Sequence, residues 1–260
     1  MDLVASQVFA DAIRGRCQGS FDNRRARANA IANAAVGEAE SRSGTLTTRV
    51  DRLGAACGWL FVAMLTAANI LPGLPPSAAS PADEVARYFV AHRESFLVAV
   101  YLEGLCVVPF LVFVVVLAHN LKSGDGDVLP ALLISFGSVA AATALSIAGF
   151  WAVLAYQASE KYELSVIRMI FELGNVAYNF IGFPFAAFLG LASFGMRSSR
   201  WGSKWLVWAG SLAALGQLVT AGAFADRGMF APGGPSFVGA YALFAAWIVA
   251  VCRTLWKRSG

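Results

Sequence analysis

Charged residues are scarce in this sequence. Asp, Glu, Lys and Arg make up 14% of its 260 residues, against about 25% in a typical soluble domain. The scarcity is uneven: long stretches carry almost none, and the segments between them carry the rest. A chain patterned this way has lipid, not water, as its main solvent. Histidine is scarcer still, with only His92 and His119. An apolar run long enough to span a membrane separates them and puts them on opposite sides, which excludes a bis-histidine haem. The four cysteines, at 17, 57, 106 and 252, show no CxxC and no Cys/His ligand spacing, so neither a zinc nor a redox centre is expected. Cys57 and Cys106 fall inside apolar runs, where Cys serves as a small buried side chain. P-loop, GxSxG, HExxH and Rossmann glycine patterns are all missing. With no catalytic motif the sequence leans away from an enzyme, and no cofactor or metal is expected.

What the chain has in abundance is apolar surface, at 58% of residues. A spanning helix needs roughly 20 mostly apolar residues. Six stretches qualify, at about 54–72, 96–119, 130–157, 173–196, 204–224 and 235–256. The fold class expected is therefore an all-α, polytopic membrane helix bundle with six transmembrane helices. A Gly- and Pro-rich turn at 225–234 separates the last two, and the third is long enough to tilt. The basic residues flank these runs instead of forming a soluble patch, so the net charge of +4 reports membrane topology and no nucleic-acid partner. With the N-terminus inside, fifteen Arg and Lys fall on the inner side and five on the outer. Arg49 and Arg52, beside the first span, weigh most. Both ends are then cytoplasmic. Trp201, Trp205, Trp208 and Trp256 fall near the inner interface, and Trp151 and Tyr156 near the outer, as aromatic belts.

Residues 1–50 read as a separate cytoplasmic tail ahead of a transmembrane domain at 51–260. The tail carries scattered charge, Ser and Gly, and its composition predicts mostly disorder, with Val4, Val8, Phe9 and Ile13 able to form a short amphipathic segment. A start nearer Val50 is the alternative. Arg49, Arg52, the first apolar run and Ser77-Ala78-Ala79 together resemble a signal peptide with its cleavage site. The long upstream tail and the charge count oppose that reading.

Short amphipathic helices are expected on the outer side. Ser80-Pro81-Ala82-Asp83-Glu84 is a helix-start signal, with Ser80 as N-cap and Pro81 at the first helical position. Val85, Tyr88, Phe89 and His92 then share a face along the interface. Residues 159–172 repeat the theme with Tyr162, Val166, Met169 and Ile170. The two segments align at an offset of 75, pairing Arg93 with Arg168 and Pro109 with Pro184. A duplicated hairpin and chance in an apolar background explain this equally well. Pro109 and Pro184 are expected to kink their helices.

Polar residues inside the spans supply the candidate site. Glu103 lies in the second span. The fourth carries Glu172, Asn175 and Asn179 at i, i+3 and i+7, on one face. The fifth carries Gln217 and Thr220, and the sixth Tyr241. All fall in the outer half of the proposed topology. Two explanations stand. Glu103, Asn175, Asn179, Gln217, Thr220 and Tyr241 form an outward-facing pocket for a small-molecule or lipid-like ligand, with Glu103 as its charged or protonatable centre. Otherwise they are interhelical hydrogen bonds, worth about 0.6–2 kcal/mol each, with Glu172 merely interfacial. A proton-coupled transporter using Glu103 is an alternative function, although few polar residues line the inner halves. A structural subunit docking through the small-residue stripe Gly182, Ala186 and Gly190 is another. The bilayer is the one partner the sequence requires, and oligomeric state is left open.

The run Ser80-Pro81-Ala82-Asp83-Glu84-Val85-Ala86-Arg87-Tyr88-Phe89-Val90-Ala91-His92-Arg93 resembles a group of actinobacterial integral membrane proteins of unknown function. Trp201-Gly202-Ser203-Lys204-Trp205-Leu206-Val207-Trp208-Ala209-Gly210 is similar to their penultimate span. The resemblance covers about residues 50–256 and implies a six-helix bundle in the plasma membrane. It implies no activity and no catalytic residues, and the long tail departs from the pattern.

The topology has a direct test. Cysteine-accessibility labelling of intact cells is expected to modify a Cys placed at Ser77 or Ser236 and to spare one at Ser123 or Ser259. Labelling at Ser259 from outside would overturn the even span count.

Overall fold

Apolar runs of this length can satisfy their peptide groups in lipid only through internal hydrogen bonds, as helices do. The computed structural model of the protein describes residues 48–73, 75–122, 124, 126–157, 163–222, 228–230 and 234–259, and every regular element among them is an α-helix. Val50–Gly260 forms one compact unit. The tail through residue 47 lies outside the described residues, as do Tyr162 and most of the turn at 225–234.

The helices are α1 (Thr48–Ile70), α2 (Ala82–Ala91), α3 (Arg93–Asn120), α4 (Leu129–Gln157), α5 (Leu164–Phe180), α6 (Gly182–Ser198), α7 (Lys204–Ala221) and α8 (Pro235–Arg258). Five helical stretches are long and apolar enough to cross a membrane: α1, α3, α4, the joined α5–α6 rod and α8. The chain is thus a multi-pass membrane protein. α7, expected as the fifth of six spans, is not in this set. It has 18 residues, and Lys204, Gln217 and Thr220 dilute its apolar content.

The outer segments differ from the sequence pattern in instructive ways. α2 begins one residue late, with Pro81 at the N-cap and no side-chain cap. Ser80 instead lies 3.3 Å from the Ser77 hydroxyl. Residues 164–172 are not a separate surface helix but the start of α5, which runs on to Phe180. Its buried face is Ile167, Phe171 and Gly174, while Met169 is 61% exposed. The neighbouring apolar surface comes from α2 and the end of α4, so burial selects the face that meets Val85, Phe89 and Leu154. The offset of 75 does not carry over to helix boundaries. The α2–α3 break falls at His92, whereas the α5–α6 break falls at Ile181. Arg93 lies over the Tyr156 ring at 5.6 Å, and Arg168 donates to the carbonyls of Ala78 and Ser80 and to Glu172. α3 runs helically through Pro109.

One of the expected belt tryptophans is packed inside: Trp201 is 4% exposed with Arg258 over its ring. Trp151 is half-buried against Phe89 and Phe171. Trp205, Trp208, Trp256 and Tyr156 are exposed. At the end of the bundle where α1 starts, Arg52 donates to the Ser259 carbonyl at 2.8 Å and Asn120 to Asp51 at 2.7 Å. At the opposite end Tyr88 donates to the Pro72 carbonyl at 2.8 Å, and partial burial pushes its phenol pKa up.

The break between α5 and α6 sets how the rod meets α7. Pro184 has no N–H for the i→i−4 bond of a continuing helix and crowds the turn before it. Gly182 then meets α7: a Cβ there would sit 2.5 Å from the Gln217 backbone oxygen. Of the expected small-residue stripe, Gly182 and Ala186 are buried, but Gly190 has open space beyond it. The stripe is therefore an internal contact at its first two positions only. Gly182→Ala is expected to lower stability by about 1–3 kcal/mol, the usual cost of overpacking. Gly190→Ala, in open space within the helix, should hold stability or raise it by up to about 1 kcal/mol through helix propensity. Comparing thermal unfolding of the two variants in detergent tests the α6–α7 contact. Equal losses at the two positions would contradict it.

Candidate functional site

Helix packing leaves a cavity of about 100 Å³ inside the bundle. It lies near the ends of α1 and α7 and the start of α8, against the middles of α3 and α4 and the α5–α6 break. Each helix contributes what its register allows. α3 turns Glu103, Cys106, Val107 and Phe110 inward, at spacings of three, one and three residues, the side of the helix that meets α4. α7 contributes Gln217 and Thr220, and α8 contributes Phe237, Ala240, Tyr241 and Phe244. From α4 come Ala140, Ala141 and Ala144, and these short side chains leave the space open. The remaining wall mixes aromatic and aliphatic side chains, with Phe61 and Leu65 on α1, Ile147 on α4 and Phe185 on α6.

The polar groups in this wall are mostly uncommitted. Among the described residues, the Glu103 carboxylate makes no hydrogen bond and no ion pair. Its side chain is half-buried, and only its backbone oxygen is engaged, by the Cys106 thiol at 3.1 Å. Gln217 is 8% exposed, and its side-chain amide likewise has no hydrogen-bond partner among the described residues. Its backbone oxygen accepts from Thr220 Oγ1 at 2.9 Å. Tyr241 is held more firmly. Its hydroxyl lies 2.6 Å from Thr66 Oγ1, which itself donates to the Val62 carbonyl at 2.7 Å. Thr66 has one proton to give, so Tyr241 donates to Thr66 and its remaining lone pairs face elsewhere.

Of the six residues singled out from sequence, Glu103, Gln217, Thr220 and Tyr241 line the cavity, and Asn175 and Asn179 do not. Asn175 bonds the Phe171 carbonyl of its own helix at 3.0 Å. Asn179 is 2% exposed within α5. The α5 residue that reaches the cavity is Tyr178, whose ring stacks on Phe237 at 5.4 Å. Sequence reasoning passes over Tyr178 because it sets the α5 face by its amides. The apolar spacing Ile167, Phe171, Gly174, Tyr178 carries the correct face. Thr66 and Asn69 escape notice because they end a span whose polar content is otherwise slight. Among the described residues no three His, Cys, Asp or Glu side chains gather as a metal site.

No family model, curated protein or solved structure matches the chain. The cavity's chemistry therefore has to be read from its own residues. Interhelical fastening demands that polar groups meet one another, as Tyr241 and Thr66 do. Glu103 and Gln217 share a cavity wall without a mutual hydrogen bond, which suits groups that face a guest. Glu103→Gln keeps the size and removes a charge whose burial costs several kcal/mol when uncompensated. The thermal midpoint in detergent is expected to stay level or rise. A fall of several degrees would show that the carboxylate fastens the fold.

Proposed function

We propose that this protein is a six-span plasma-membrane protein, both termini cytoplasmic, that binds a small or lipid-like molecule in an outward-facing cavity. One observation carries the binding reading: Glu103 and Gln217 project, without partners among the described residues, into a cavity walled by aromatic and alanine side chains. Binding sites are typically apolar hollows with a few placed polar groups. The sixth span is α7. It packs on α6 through Gly182 and receives the Trp247 indole N–H on its Leu206 carbonyl at 3.1 Å. It turns Trp205, Trp208, Leu212, Leu215 and Val219 outward, as a lipid-facing helix would. Orientation rests on the excess of Arg and Lys at the ends joined by Arg52 and Ser259. The resemblance to actinobacterial membrane proteins supports the same architecture and no activity.

The transporter alternative needs a polar route onward from Glu103. Beyond the cavity the fully buried Phe188 lies between Phe110 and Trp247, at 5.9 and 6.3 Å between ring centroids. That packing favours a bound guest over passage. Gly182 faces α7 and Ala186 is buried in the bundle, which weakens the docking-subunit alternative.

Ala144→Phe, which adds a ring to the cavity wall, tests the reading. Native mass spectrometry of protein taken directly from membranes should find a bound small molecule or lipid on the wild type and little on the variant. Equal adducts on two folded proteins would overturn it.

A further inference from the structure

Glu103 is the one carboxylate among the cavity-lining residues, and no Lys, Arg or His lines the cavity with it. Among the described residues, no Lys or Arg pairs with it. Arg168, on the outer part of α5, is engaged by Glu172 and two backbone carbonyls, and Arg93, at the start of α3, lies over Tyr156. The rest of the wall suits positive charge. Phe61, Phe110, Phe185 and Phe244 present π faces or edges around the space, and Tyr178 and Tyr241 border it. Aromatic rings attract an organic cation most strongly where water is excluded. Tyr241 has already given its proton to Thr66, so its oxygen is an acceptor toward the cavity. The Gln217 amide, 8% exposed, adds a carbonyl acceptor. The space of about 100 Å³ holds a compact head group and not a long chain.

Resting on the binding reading, we infer that the guest carries an alkylammonium group whose positive nitrogen pairs with Glu103 while its carbon substituents contact the aromatic wall. A carboxylate alone would accept any donor, and an aromatic hollow alone would accept any small apolar body. Together they select a cation with an apolar surface. A free amine and a lipid head group both offer such an ammonium, and the chemistry of recognition is the same for both.

The test uses the full chain in phosphatidylglycerol nanodiscs at neutral pH. The probes are ethanolamine and choline, each against its uncharged counterpart, propanol and neohexanol. Calorimetry is expected to show at least one ammonium binding tenfold or more tightly than its counterpart. Glu103→Gln should remove that preference while keeping its thermal midpoint, and Phe185→Leu should weaken the ammonium by severalfold with Glu103 intact. Adding phosphatidylethanolamine to the nanodiscs identifies the source: competition assigns the site to a lipid head group, and unchanged affinity assigns it to a free amine. Equal binding of charged and uncharged partners would overturn the cation assignment and leave the cavity as a binding site. No binding by any probe, with adducts still present in native mass spectrometry, would also overturn it. Loss of the adducts as well would remove both readings.

Discussion

Close contact between helices is the interaction on which this structure depends. Lipid tails are as apolar as the side chains they meet, so the bilayer offers no hydrophobic force to gather helices, and packing distance decides. Glycine supplies that distance at several crossings. A Cβ on Gly54 would meet Val116 at 2.5 Å, one on Gly137 would meet Val114 at 2.8 Å, and one on Gly195 would meet Leu129 at 2.6 Å. These contacts draw α1 and α4 onto α3, and α6 onto α4, around the fully buried Phe113, Leu117 and Phe188. Hydrogen bonds such as Trp247 to Leu206 then fix register at crossings already brought close.

The same contact shapes the cavity. Gly182 lets α7 approach the start of α6. Tyr178 and Phe185, seven residues apart on one face of the α5–α6 rod, then border the same hollow. α4 faces that hollow with Ala140, Ala141 and Ala144, where larger residues would fill it. The cavity is thus a product of small side chains at defined positions in a bundle that elsewhere packs Phe and Leu to near-complete burial.

Much of this architecture is legible in the sequence, for a physical reason. Membrane solvation acts on runs of about 20 residues, and hydropathy reads such runs directly, so the helix ranges match the structure to within a few residues outside α1 and α5. What escapes is decided by neighbours. Met169 and Ile167 are both apolar, and only the presence of α2 and α4 on one side buries the second. Trp201 sits beside a basic cluster as a belt residue would, yet Arg258 and the surrounding core enclose it. Gly190 has the spacing of a contact residue and no helix opposite it. The candidate site divides in the same way. Glu103, Gln217 and Tyr241 stand out because polarity inside a span is rare, whereas Tyr178 and Thr66 look ordinary until α5 and α1 meet α8.

The distribution of polar groups along the bundle bears on what kind of site this is. Were they only fasteners, their best positions would be spread along the crossings, since every crossing benefits from a hydrogen bond. Several of them instead gather around one cavity, on α1, α3, α5, α7 and α8, and among the described residues the side chains of Glu103 and Gln217 leave capacity unused. Past them, Phe110, Phe188 and Trp247 meet edge to face, where a conduit would need water or polar side chains. A bilayer protein that keeps a carboxylate with no partner among its described residues in such a hollow loses stability by doing so. The loss is recovered if a guest supplies the missing opposite charge, because the aromatic wall that makes the lone carboxylate costly also strengthens its attraction to a cation.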